Sequence, residues 1–85
     1  MQNQLNQIQK LCQDISLKEN GLHYASYSYS GHTNEINVNL WSRNDIEYNY
    51  FFTRSIYLHD DFADIIGISF EEQLQNLISD LKCYL

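Results

Sequence analysis

The strongest constraint on this chain is a change in apolar period that happens twice. Leu5, Ile8, Leu11, Cys12 and Ile15 recur at helical spacing, a single apolar stripe. From residue 22 to residue 58 the pattern becomes two-fold, Tyr alternating with Ser and then Ile36, Val38 and Leu40 alternating with Glu, Asn and Trp. From Phe70 onward the helical period returns through Leu74, Leu77, Ile78, Leu81 and Leu85. A chain that starts and ends helical, with strands between, must lay its helices on the sheet to bury both stripes. The expected fold is therefore α+β in the order α-β-β-β-α: a three-stranded antiparallel meander with two helices packed on one face.

The punctuation supports this division. The first helix is predicted over residues 3–19, with Lys18 near its C-terminus and Asn20-Gly21 as a stop. Strands are predicted over residues 22–30, 35–42 and 46–58, separated by turns at Gly31-His32-Thr33-Asn34 and Arg43-Asn44-Asp45. The third strand would place Tyr48, Tyr50, Phe52, Ile56 and Leu58 on its core face. His59-Asp60-Asp61 breaks the alternation, residues 62–66 could make one helical turn ended by Gly67, and Ser69-Phe70-Glu71-Glu72 has the form of a capping box. With no proline, no repeat and no glycine-rich linker, the 85 residues read as a single domain, 1–85.

The α-β-β-β-α order resembles that of the double-stranded-RNA-binding domain. In that family the second helix begins with a basic cluster that grips phosphates, whereas Ser69-Phe70-Glu71-Glu72 stands at that point here. The resemblance stops at element order and implies no RNA binding; no motif identifies a family.

Charge narrows the function further. The formal charge is −6 and it is unevenly placed. Residues 1–58 nearly balance, with Asp14, Glu19, Glu35, Asp45 and Glu47 against Lys10, Lys18, Arg43 and Arg54. Residues 59–85 carry Asp60, Asp61, Asp64, Glu71, Glu72 and Asp80 against Lys82 alone. Such a field repels phosphate backbones and attracts basic protein surfaces, which argues against direct nucleic-acid binding.

No catalytic, cofactor-binding or metal-binding set emerges. His23, His32 and His59 have no partner at a zinc-ligand spacing. There is no Gly-x-Ser-x-Gly elbow, and Gly21, Gly31 and Gly67 are isolated rather than gathered in a phosphate loop. Cys12 falls in the first apolar stripe and Cys83 outside the last one. Two cysteines near opposite ends fit reduced thiols in a cytoplasmic protein, the alternative being a bridge between the terminal helices. No apolar run reaches the length of a membrane span, and the N-terminus lacks the pattern of a signal peptide.

Two surfaces remain as candidates for partner binding. One is acidic: Asp60, Asp61, Asp64, Glu71 and Glu72. The other is aromatic: on the sheet face turned from the helices, Trp41, Phe51 and Tyr57 are expected among neutral polar residues, with Tyr27 or Tyr29 as further members. The expected function is a small acidic non-enzymatic inhibitor or adaptor that blocks a basic surface of a nucleic-acid-handling protein, by analogy of composition a phage-encoded anti-defence (anti-CRISPR-like) protein. Alternatives are a toxin-neutralising immunity protein and an assembly subunit that forms a homodimer or larger homo-oligomer through the aromatic sheet face.

Overall fold

The computed structural model describes residues 1–44, 49–59 and 67–85. The start predicted for the third strand (Ile46 to Tyr48), the helical turn at 62–66, and Asp45, Asp60, Asp61 and Asp64 lie outside the described residues. The elements are α1 (Gln2–Leu17), β1 (His23–Ser30), β2 (Glu35–Ser42), β3 (Tyr50–Tyr57) and α2 (Phe70–Lys82), in the expected α-β-β-β-α order. The sheet is an antiparallel meander in the order β1-β2-β3.

The two apolar stripes and one face of β2 make a single core. Leu5, Ile8, Leu11, Cys12 and Ile15 from α1 meet Ile36, Val38 and Leu40 from β2, Ile56 from β3, Leu58, and Leu74, Leu77, Ile78 and Leu81 from α2. Ala25, Tyr27, Phe52 and Phe70 pack at its margin. Both helices thus cover one face of the sheet. They run side by side in the same direction: Gln4 Nε2 donates to the Glu71 carbonyl (3.1 Å) at their N-terminal ends, and their C-terminal ends both lie beside His23.

Local chemistry sets each boundary. α1 stops because Lys18 is already extended (φ −60°, ψ 125°) and Asn20 takes a left-handed conformation (φ 58°) that asparagine tolerates. Lys18 therefore lies beyond the last helical turn, and the cation at the helix end is Arg43, from the turn after β2. Its Nη2 donates to the Ile15 carbonyl (3.4 Å) and to the Ser16 carbonyl, while Nε donates to the His23 carbonyl (3.1 Å). Ser16 adds a reciprocal clamp, accepting from Ala25 N–H (2.9 Å) and donating to the Ala25 carbonyl (3.1 Å). That occupies part of the exposed edge of β1, where unpaired backbone would otherwise invite another strand.

At the other end of the sheet Asn34 (φ 52°) closes the β1–β2 hairpin. Its backbone carbonyl accepts from Leu58 N–H (2.8 Å), its Nδ2 donates to the Leu58 carbonyl (3.0 Å), and its Oδ1 accepts from the Tyr29 hydroxyl (2.8 Å). α2 opens as the sequence suggests, with Ser69 Oγ accepting from the Glu72 N–H at 3.2 Å. It closes at Cys83, two residues before Leu85, so Leu85 is exposed rather than part of the stripe and Tyr84 packs on the core instead.

The two thiols differ as expected. Both are free, Cys12 buried and Cys83 exposed. Burial pushes the Cys12 thiol up to about 11. Because the folded state holds this proton more tightly than the unfolded state, the associated stability is complete below the ordinary thiol value of 9.0 and is lost as pH rises through about 11. At pH 8 a thiol reagent should modify one cysteine quickly, at Cys83, and the second only on unfolding; equal rates in native protein, read by mass spectrometry, would contradict the placement of Cys12.

Candidate interaction surface

The face of the sheet turned from the helices can be read from the strand register. Tyr24 pairs with Trp41, Ser26 with Asn39 and Ser28 with Asn37. On the other side Asn37 pairs with Ser55, Asn39 with Thr53, and Glu35 with Tyr57. The strand register gives this face a polar, almost uncharged middle, where the Ser55 hydroxyl donates to Asn37 Oδ1 at 2.5 Å.

Its aromatic end is built by an irregularity. Leu40 pairs with Phe52, but the next residue, Trp41, pairs with Tyr50. Phe51 is the extra residue of a β-bulge, and a bulge reverses the side on which the preceding residues lie. Tyr50 consequently joins the open face, its ring 5.6 Å from that of Trp41. Tyr24 flanks Trp41 on the other side at 5.8 Å, and the Arg43 guanidinium sits 4.7 Å over the Tyr24 ring. Tyr24 and Tyr50 are exposed and Trp41 is half-buried between them.

This corrects the aromatic set expected from alternation. Phe51 lies on the helix side, against His23 (5.2 Å) and Tyr84 (5.7 Å). Tyr57 shares the open face but pairs with Glu35, six residues along β2 from Trp41, about 20 Å at the usual rise per residue. Tyr27 and Tyr29 also have helix-side parity, pairing with Val38 and Ile36. Only Trp41 of the expected trio belongs to the cluster; Tyr24 and Tyr50 are its partners. The missed signal is the run Tyr50-Phe51-Phe52, which has no polar residue to mark which face is which.

The helix side carries a second group. The Phe51, His23 and Tyr84 rings meet tilted or edge-to-face beside Phe52, and Arg54 lies 5.1 Å from the Phe52 ring while bonded to Asp80 (2.7 Å). An open cleft of about 290 Å³ adjoins it, lined among others by Lys18, His23, Cys83 and Tyr84. Cys83 Sγ lies 3.6 Å from the Ser79 carbonyl. His59 Nε2 is 3.2 Å from the Thr33 carbonyl, a geometry in which that nitrogen donates. Among the described residues no three His, Cys, Asp or Glu side chains gather as a metal site would require, and no helix is long and apolar enough to cross a membrane.

Of the acidic set, Glu71 and Glu72 are exposed on the first turn of α2. They sit at the N-terminal end of the helix pair, whereas Tyr24, Trp41 and Tyr50 sit at the end where α1 and α2 terminate. The structure therefore separates these two carboxylates from the aromatic cluster. Comparison of the chain with protein-family models, curated proteins and solved structures finds no match to any of them.

Proposed function

We propose that this protein acts without catalysis, as an inhibitor or adaptor that covers a basic surface of a nucleic-acid-handling protein, in the manner of a phage-encoded anti-defence (anti-CRISPR-like) protein. The observation that carries this reading is how three of the five cations are used. Lys10 pairs with Asp14 (2.9 Å), Arg54 pairs with Asp80 (2.7 Å), and Arg43 is engaged by backbone carbonyls and Tyr24. Glu71 and Glu72 form no ion pair among the described residues. They follow closely on Asp60, Asp61 and Asp64 in a chain of net charge −6. Carboxylates such as Glu71 and Glu72, unpaired among the described residues, can stand in for phosphates on a groove lined with Lys and Arg.

Such docking is steered by charge and weakens as salt rises. Tagged protein should capture a basic partner from cell extract, and the partner's identity would separate an anti-defence role from neutralisation of a basic toxin. With that partner purified, the triple variant Asp60→Asn, Asp61→Asn, Asp64→Asn should lower affinity at low salt by about tenfold or more and flatten its salt dependence. Unchanged affinity and an unchanged salt slope would sink the reading.

A further inference from the structure

We infer that the open sheet face is a self-association surface, and that its occupant is the same face of a second copy of this chain. The argument begins with charge. Of the residues the register places there, Tyr24, Ser26, Ser28, Asn37, Asn39, Trp41, Tyr50, Thr53, Ser55, Tyr57 and Glu35, only Glu35 bears a charge. It is at the rim, beside Tyr57, and accepts from the Thr33 hydroxyl at 3.2 Å. A protein of net charge −6 would ordinarily repel its own copies. Here the strands of the face that can meet a copy carry almost no charge: the one cation beside it, the Arg43 guanidinium over the Tyr24 ring, is held by the Ile15, Ser16 and His23 carbonyls. A basic partner, by contrast, would find almost nothing on it to pair with.

Composition and size point the same way. Tyr and Trp give rigid contact area at low entropic cost, and Ser, Asn and Thr can pair across an interface in either direction, as a two-fold contact requires. Three strands of eight residues make a platform of about 14 by 26 Å. That footprint, about 370 Å², stays below the roughly 800 Å² per partner of a standard interface even with side-chain relief. The pair is therefore a reversible dimer that forms as concentration rises, anchored by Tyr24, Trp41 and Tyr50. Dimerisation would leave the carboxylates of α2 outside the contact, so this inference and the acidic-docking reading stand or fall separately.

Trp41 is the only tryptophan in the chain, which makes the contact directly visible. Sedimentation equilibrium from micromolar to millimolar protein should show the mass rising toward twice the monomer, with Trp41 emission shifting to the blue in parallel and little response to added salt. Thr53→Glu and Thr53→Lys, each placing a charge on an exposed position of the face, should weaken self-association at least tenfold while leaving the circular dichroism of the monomer unchanged. Three outcomes would overturn the inference: a monomer at millimolar concentration, a dimer whose formation leaves Trp41 emission unmoved, or Thr53→Glu dimerising as well as the parent. The first would leave the face to a different protein, and the second would move the contact elsewhere on the molecule.

Discussion

Leu40→Ala should lower the unfolding free energy by about 2–5 kcal/mol, whereas Asn39→Ala, one residue away, should cost about 0.5 kcal/mol or less. Leu40 is fully buried, pairs with Ala25 and Phe52, and sits under both helices in the single core. Truncation there removes transfer free energy and leaves a cavity that two helices and a sheet cannot close together. Asn39 points to the other side of the same strand, between Ser26 and Thr53, away from α1 and α2. A chain of 85 residues has a total stability of about 4–13 kcal/mol at the usual value per residue. The first substitution can therefore consume much of it. Leu40→Met, which keeps volume and apolarity, should cost less than about 1.5 kcal/mol. Urea unfolding of the three variants checks the assignment of faces; equal losses for Leu40→Ala and Asn39→Ala would mean that β2 is covered on both sides.

The same strand shows what the residues reveal unaided. Ile36, Val38 and Leu40 alternate with polar neighbours without interruption, so β2 has one possible orientation and is found in it. α2 is equally plain, because Ser69 caps it and Leu74, Leu77, Ile78 and Leu81 form an unbroken stripe. β3 is different. Tyr50, Phe51 and Phe52 are all aromatic, and their order fits either parity; only the pairing of Trp41 with Tyr50 reveals the bulge. A single inserted residue exchanges Phe51 for Tyr50 on the open face, and with it the membership of the candidate surface. Periodicity locates a face within a strand but cannot see a ladder defect, which is a property of two strands together.

Glu71 and Glu72 are legible for the opposite reason. Acidic residues in a first helical turn are favoured by the backbone N–H groups whatever the protein does, so their position follows from the cap; what bears on a partner is that they form no ion pair among the described residues. Their distance from Trp41 follows from the helices running in the same direction, which no local pattern encodes. The use of Arg43 is also non-local: a turn residue completes a helix that ends far earlier in the chain.

That use makes Arg43 the residue with the largest expected effect outside the apolar core. Arg43→Ala should cost about 2–4 kcal/mol, since hydrogen bonds from a charged donor contribute about 1.5–3 kcal/mol each and water can replace only part of them here. The guanidinium serves the Ile15, Ser16 and His23 carbonyls at once and lies over Tyr24. Without it the end of α1 loses a cation and three carbonyls lose this donor, and the join between α1, β1 and the turn after β2 is held by Ser16 and the Arg43 N–H bond to the Leu22 carbonyl (3.0 Å). Arg43→Lys should recover less than half of the loss, because one ammonium cannot span acceptors arranged for a planar fork. Lys18→Ala should change little, although Lys18 is the nearer cation in sequence, because it lies beyond the helix. Hydrogen exchange supplies the local test. Arg43→Ala should speed exchange selectively in the last turn of α1, and a loss of protection spread evenly over the molecule would show that Arg43 acts through the fold as a whole rather than as a cap.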